Sequence, residues 1–135
     1  MPSAASPDGA KTEHALPFAP PSTARARALL DGFLESASLG GRCRQEAIIV
    51  LGELVSNALD HGSPMQGDCF EVAFELTPDG LVLTVCDGGA NAVPRVVNAG
   101  PYAPRGRGLA MVQALCRDWT VERVSGTKVR AILSC

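Results

Sequence analysis

The chain has 135 residues, of which 46% are hydrophobic, 19% charged and 4% aromatic, with a net charge of −2. That is the length of one domain, with enough aliphatic material for a packed core, so disorder throughout is excluded. There is no basic stripe of a general nucleic-acid binder, no apolar run near the ~20 residues that span a bilayer, and no secretory signal at the N-terminus.

Residues 1–12 are rich in Ala, Ser, Pro and Gly and read as a flexible tail, leaving 13–135 as a single domain. Glu13 to Phe18 reads as a short strand, followed by a turn at Pro17, Pro20 and Pro21. Ser22 stands where a helix N-cap belongs, and Ala26, Leu29, Leu30, Phe33, Leu34 and Ala37 follow with helical period up to Gly40-Gly41. A longer helix is expected from about Arg42 to His61, stopped by Gly62 and Pro64. The period then changes to two. Phe70, Val72, Phe74 and Leu76 alternate with polar or small residues, Pro78-Asp79-Gly80 supplies a turn, and Leu81 to Cys86 completes a hairpin. From Asp87 to Arg107 no period is visible, and a loop this long in a small domain suggests a lid or binding loop. Gly108 to Asp118 reads as a helix, and Trp119–Val124 and Lys128–Leu133 as strands joined by Ser125-Gly126-Thr127. The expected fold is an α/β two-layer sandwich, with helices on one face of a mixed, largely antiparallel sheet. The five cysteines, at 43, 69, 86, 116 and 135, have no CxxC spacing. They read as small, partly buried hydrophobes in a reduced, cytoplasmic protein rather than a zinc site or redox pair.

Four patches carry chemistry. Glu53, Asn57 and His61 recur every four residues on the apolar second helix and so form one narrow polar stripe. A solvent face is the plain reading, but a carboxylate one turn from a carboxamide can also hold a water and a magnesium ion. Asp87-Gly88-Gly89 ends a strand, where a carboxylate can accept from an exocyclic amine and a glycine lets a flat base approach. Gly106-Arg107-Gly108-Leu109 opens a helix, where backbone N–H groups favour phosphate. Gly126-Thr127 is by itself only a hairpin signal.

Together and in this order the patches resemble the N box, DxG box, GxGL box and closing Gly-Thr turn of the GHKL (Bergerat-fold, histidine-kinase-like) ATPase superfamily. From about Leu16 to Leu133 the chain is most similar to the small bacterial anti-sigma-factor serine kinases typified by SpoIIAB and RsbW, in their actinomycete branch. Leu16-Pro17, Ala24-Arg25-Ala26-Arg27 and Gly108-Leu109-Ala110-Met111-Val112 leading to Trp119 also carry the likeness. The resemblance implies ATP and Mg²⁺ as cofactors, with Glu53 as general base, Asn57 as the magnesium ligand and His61 near the phosphates or lid. Asp87 would bind the adenine amine, and Gly89 would let the ring close on the backbone. Gly106, Arg107, Gly108 and the Leu109 amide would face phosphate, Thr127 would reach the adenine, and Ala90–Arg105 would be the lid. Arg95, Arg105 and Arg107 are the candidates to clamp a γ-phosphate.

The implied function is an anti-sigma regulator that phosphorylates a serine on an antagonist protein. Its partners would be a sigma factor or that antagonist, met around Arg25, Arg27 and Asp31, with no nucleic acid or membrane involved and a homodimer compatible. Neither a sensor kinase nor a gyrase-type machine is expected, since no phosphoacceptor helix or transducer domain accompanies the domain. The alternative is a nucleotide-dependent binding module without phosphotransfer. A structural domain without nucleotide would need four motifs to coincide in order.

Overall fold

The computed structural model describes residues 10–89, 104–123 and 125–135, apart from the side chains of 104–109. Most of the expected tail and the lid segment up to residue 103 therefore lie outside the described residues. The element order is β1 (Lys11–Pro17), α1 (Ser22–Ser36), α2 (Gly41–His61), β2 (Cys69–Thr77), β3 (Gly80–Asp87), α3 (Pro104–Leu115), β4 (Asp118–Glu122) and β5 (Thr127–Leu133). The strands make one sheet in the order β1-β2-β3-β5-β4, and every neighbouring pair is antiparallel, so no mixed pairing occurs among them.

The period-two pattern of β2 works as expected. Phe70, Val72, Phe74 and Leu76 are buried, with Leu81, Leu83 and Val85 beside them on β3. Helix α2 is the centre of the second layer, packing against α1, α3, β3 and β5. Its inner side, Ala47, Val50, Leu51, Leu54, Val55 and Ala58, is buried, as are Ala26, Leu30 and Leu34 of α1 and Val112 of α3. Phe70 and Phe74 are the largest fully buried side chains, and aliphatic groups fill the rest of the core. Because α2 is clamped on both sides, the polar positions along it are fixed relative to the ends of β3 and β5.

Several boundaries differ from the sequence reading. β1 begins two residues before Glu13. Ser22 is the first helical residue rather than the cap, because its hydroxyl donates to the Pro17 carbonyl at 2.7 Å while Pro21 takes the cap position. Helix α1 stops before the Gly pair. Ser38 takes φ +59°, and the Leu39 N–H returns to the Leu34 carbonyl at 2.9 Å, a left-handed closure made without glycine. Helix α3 starts at Pro104, a residue suited to the first helical position. Asp118 is not helical but joins β4, opposite Ile132.

The cysteine reading also needs correction. Cys43 near the start of α2 and Cys135 beyond β5 form a disulfide, their Cα atoms 5.5 Å apart across 92 residues of sequence. Cys69, Cys86 and Cys116 are free thiols. The pairing follows from β5 ending beside the start of α2, which sequence spacing does not reveal.

Candidate functional site

Asp87 is the last residue of β3 and pairs with Thr127, the first of β5. Both are buried where polar residues are scarce, Asp87 at 7% exposed and Thr127 at 2%. Asp87 Oδ1 accepts the Gly89 N–H at 2.6 Å. Burial pushes the Asp87 carboxyl above its ordinary titration range, and the Gly89 bond only partly opposes this. Among the described residues, Thr127 Oγ1 is buried with no hydrogen-bond partner. An orphaned hydroxyl costs stability unless a ligand or water satisfies it.

The C-terminal turn of α2 faces this pair. Asn57, His61 and Gly62 line one cleft with Asp87 and Thr127, and Leu54, Val85 and Val129 supply its apolar surface. A separate groove of about 480 Å³ shares His61 and Gly62 with this cleft and is bounded further by Ser63, Gly88, Gly89, Arg123 and Gly126. Ser63 fastens the two segments that meet there. Its carbonyl accepts from the Gly88 N–H at 2.7 Å, and its hydroxyl donates to the Gly89 carbonyl at 2.9 Å.

Two glycines matter for shape. A Cβ at Gly62 would collide with Asp87 Oδ2 and the Ala58 carbonyl, so only glycine lets the helix end sit against the carboxylate. Gly89 adopts φ +117°, which side chains rarely tolerate, and among the described residues a Cβ there would meet only the Gly126 Cα at 3.6 Å. The backbone at Gly89 is thus held open toward the groove.

The structure therefore brings together Asn57, His61, Asp87 and Thr127, with Gly89 at the rim. Glu53 lies one turn before Asn57, half-buried, and lines neither cavity among the described residues. Gly106, Arg107, Gly108 and Leu109 lie within the opening turns of α3. Since that helix begins four residues earlier than expected, the described amides without an intrahelical partner shift to residues 105 and 106. Asp31 is held by Arg44, whose guanidinium also reaches Glu35, at 2.8 and 2.9 Å. The Arg27 guanidinium lies over Gly52 of α2. The sequence reading missed Ser63 and Arg123, which carry no motif, and saw Gly62 only as a helix stop.

A profile of the histidine kinase-like ATPase domain matches residues 16–133. The chain belongs to this family. No curated protein matches its sequence. Among solved structures, this ATPase domain is similar to the RsbU and RsbW domains of Rv1364c from Mycobacterium tuberculosis. The TM-score is 0.70 and the identity 21%, over 93% of this chain and 32% of that one. The domain spans about a third of that structure's length, and the likeness is one of fold.

Family membership makes this an ATP-binding domain, and the chemistry of the cleft's lining suits the ligand, while the space it encloses, about 10 Å³, holds no more than a water and must widen to admit a base. A buried carboxylate offers an acceptor for a purine amine, and an orphaned hydroxyl can donate to or accept from the ring. Apolar side chains of Leu54, Val85 and Val129 offer contact surface for a flat heterocycle. Among the described residues no group of three or more His, Cys, Asp and Glu is placed to hold a metal ion by itself. No described helix is long and apolar enough to cross a membrane.

Proposed function

We propose that this histidine kinase-like ATPase domain is an anti-sigma regulator that binds a sigma factor or its antagonist and phosphorylates a serine of the antagonist. One observation carries the nucleotide half of this reading. The buried Asp87 carboxylate and the unpartnered Thr127 hydroxyl open into the same cleft as Asn57. Asp87 accepts the adenine amine, Thr127 contacts the ring, and Gly89 lets the base lie against the backbone. Asn57 offers its carboxamide oxygen to a Mg²⁺ ion, which screens the phosphate charge when bound. His61 and the opening amides of α3 face the phosphates. Glu53 takes the proton from the serine hydroxyl as its oxygen bonds to the γ-phosphorus and the bond to the ADP oxygen breaks. A cytoplasmic setting belongs to this reading, and there the Cys43–Cys135 bridge would be held mostly reduced.

A second reading is a binding module without phosphotransfer. It is favoured by the position of Glu53, which lines neither cavity. Two variants separate the readings when labelled ATP and a candidate antagonist are supplied. Under the kinase reading, Glu53→Gln keeps ATP affinity and lowers phosphotransfer by about 10²–10⁴-fold, while Asn57→Ala loses both. Under the module reading, Asn57→Ala loses ATP and Glu53→Gln has no turnover to lose. Wild-type transfer by Glu53→Gln would refute Glu53 as the base.

A further inference from the structure

Helix α2 begins without the usual means of holding a first turn. Gly40 stands at its cap position and offers no side-chain hydrogen bond, and no acidic residue occupies the first turn. Arg42 and Arg44 instead place positive charge where the helix dipole favours negative. The first hydrogen bond of the ladder, from the Arg44 N–H to the Gly40 carbonyl, is long at 3.4 Å. Two adjacent residues hold the turn in place. Cys43 is tied to Cys135 beyond β5, and Arg44 reaches Asp31 at 2.8 Å and Glu35 at 2.9 Å on α1. The two ties are unequal. The side chains of Asp31 and Glu35 are more than half exposed, and ion pairs of that kind contribute little by themselves. Arg44 therefore keeps its place only while the turn beneath it stays helical.

We propose that the Cys43–Cys135 bridge is a redox-operated clasp on the junction of α1 and α2. Closed, it fixes the first turn of α2 and with it the Arg44 fork over Asp31 and Glu35. Open, the turn frays, Arg44 swings away, and the two carboxylates of α1 face solvent without it. Closing the bond takes two electrons and two protons from the two thiols, and a small-molecule disulfide that accepts them becomes two thiols. A dithiol returns them when the bond opens, and itself closes to a disulfide. Cys135 is exposed, so both reagents can reach the bond. Cys116 does not compete with them. Burial, and to a lesser degree Glu46, push its thiol up to about 11, and a thiol held protonated at neutral pH attacks a disulfide slowly. Asn57 lies about 21 Å along the helix from Cys43, at 1.5 Å per residue, so the clasp acts on α1 rather than on the nucleotide cleft. In the regulatory reading, on which this consequence alone rests, Asp31 belongs to the surface that meets a protein partner. The redox state of the chain then sets the charge which that surface presents.

The test is read on this chain alone, without nucleotide. With the bridge closed, the hydrogen bond from Arg44 holds the Asp31 carboxyl below the ordinary aspartate range. NMR titration of the side-chain carboxyls should show Asp31 returning to the ordinary range when dithiothreitol is added, and falling again after treatment with oxidised glutathione. Backbone carbon shifts of residues 42–45 should lose their helical character on reduction, while those of residues 50–58 keep theirs. A bridge that only restricts the unfolded chain moves neither reading. Cys135→Ser should show the reduced behaviour under both conditions, and Cys116→Ser should respond as wild type does. Arg44→Gln should leave Asp31 in the ordinary range throughout, while the shifts of the first turn still follow the redox state. An Asp31 carboxyl that titrates alike in both states overturns the proposal. Helical shifts lost along the whole of α2, or no Cys43–Cys135 peptide found by mass spectrometry after oxidation, overturn it equally. Loss of ATP binding in wild type would leave the clasp standing and refute the functional reading instead.

Discussion

Asp87→Asn separates a carboxylate that recognises a ligand from one that merely ends a strand. One oxygen of Asp87 is already committed to the Gly89 N–H at 2.6 Å. The amide oxygen of Asn must take that role, because its NH₂ group would otherwise face another donor. The NH₂ is then forced toward Gly62 and the cleft, where the adenine amine also donates. A charge-assisted hydrogen bond is replaced by a donor–donor contact, a loss of roughly 1.5–3 kcal/mol, or about 10- to 150-fold in affinity. The fold should not suffer. Burial already disfavours the ionised carboxylate, so a neutral side chain of the same shape is tolerated at pH 7. Calorimetric titration with ATP and Mg²⁺, beside a melting curve of each protein, measures both effects. Wild-type affinity in the variant would refute the adenine assignment. A large fall in melting temperature would refute the claim that the carboxylate is dispensable for folding.

The parts of this site that were legible in the sequence are those where local chemistry and topology coincide. Asp87 ends an apolar strand and Thr127 follows a turn glycine, yet each is alone an ordinary turn signal, and only the order of the four motifs marked them. Asn57 and His61 could be placed on one stripe because α2 is long and regular. What the sequence does not carry is which strand ends meet which helix end. The β3–β5 pairing sets Asp87 beside Thr127, and that depends on a crossover through α3 that no local pattern encodes. Ser63 joins the site only because the segment after α2 returns to Gly88 and Gly89. The Cys43–Cys135 bridge escaped for the same reason. Boundaries failed where a side chain overrode a propensity: Ser22 bonds backward to Pro17 instead of capping, and Ser38 closes α1 in a left-handed conformation usually left to glycine. The sandwich itself was readable, because the periods of α2 and β2 are unambiguous.

Three further outcomes follow from the same geometry. Because the Asp87 carboxyl titrates above its ordinary range, the native state holds that proton more tightly than the unfolded chain. Its contribution to stability is therefore greatest at low pH and falls as pH rises through the two values. ATP binding needs the ionised acceptor and should run the opposite way, weakening as pH is lowered toward the carboxylate range, a trend that titrations of Asp87→Asn should lack. Cys135→Ser, or a reducing agent, should lower stability by about 2–4 kcal/mol, since the bridge closes a long loop in the unfolded chain; unchanged chemical denaturation would show that the bridge does not form. Thr127→Val reads the orphaned hydroxyl directly. Valine has nearly the same shape, and the oxygen it removes has no partner to lose. The protein without ligand should therefore be as stable as wild type or more so, by up to about 1–2 kcal/mol from relief of an unsatisfied group. ATP affinity should move the other way and fall by about 2- to 10-fold, the worth of one neutral hydrogen bond. A residue held for structure alone cannot give these opposite signs. If Thr127→Val lost stability and kept its ATP affinity, the hydroxyl would be serving the fold, and its place in the cleft would carry no recognition.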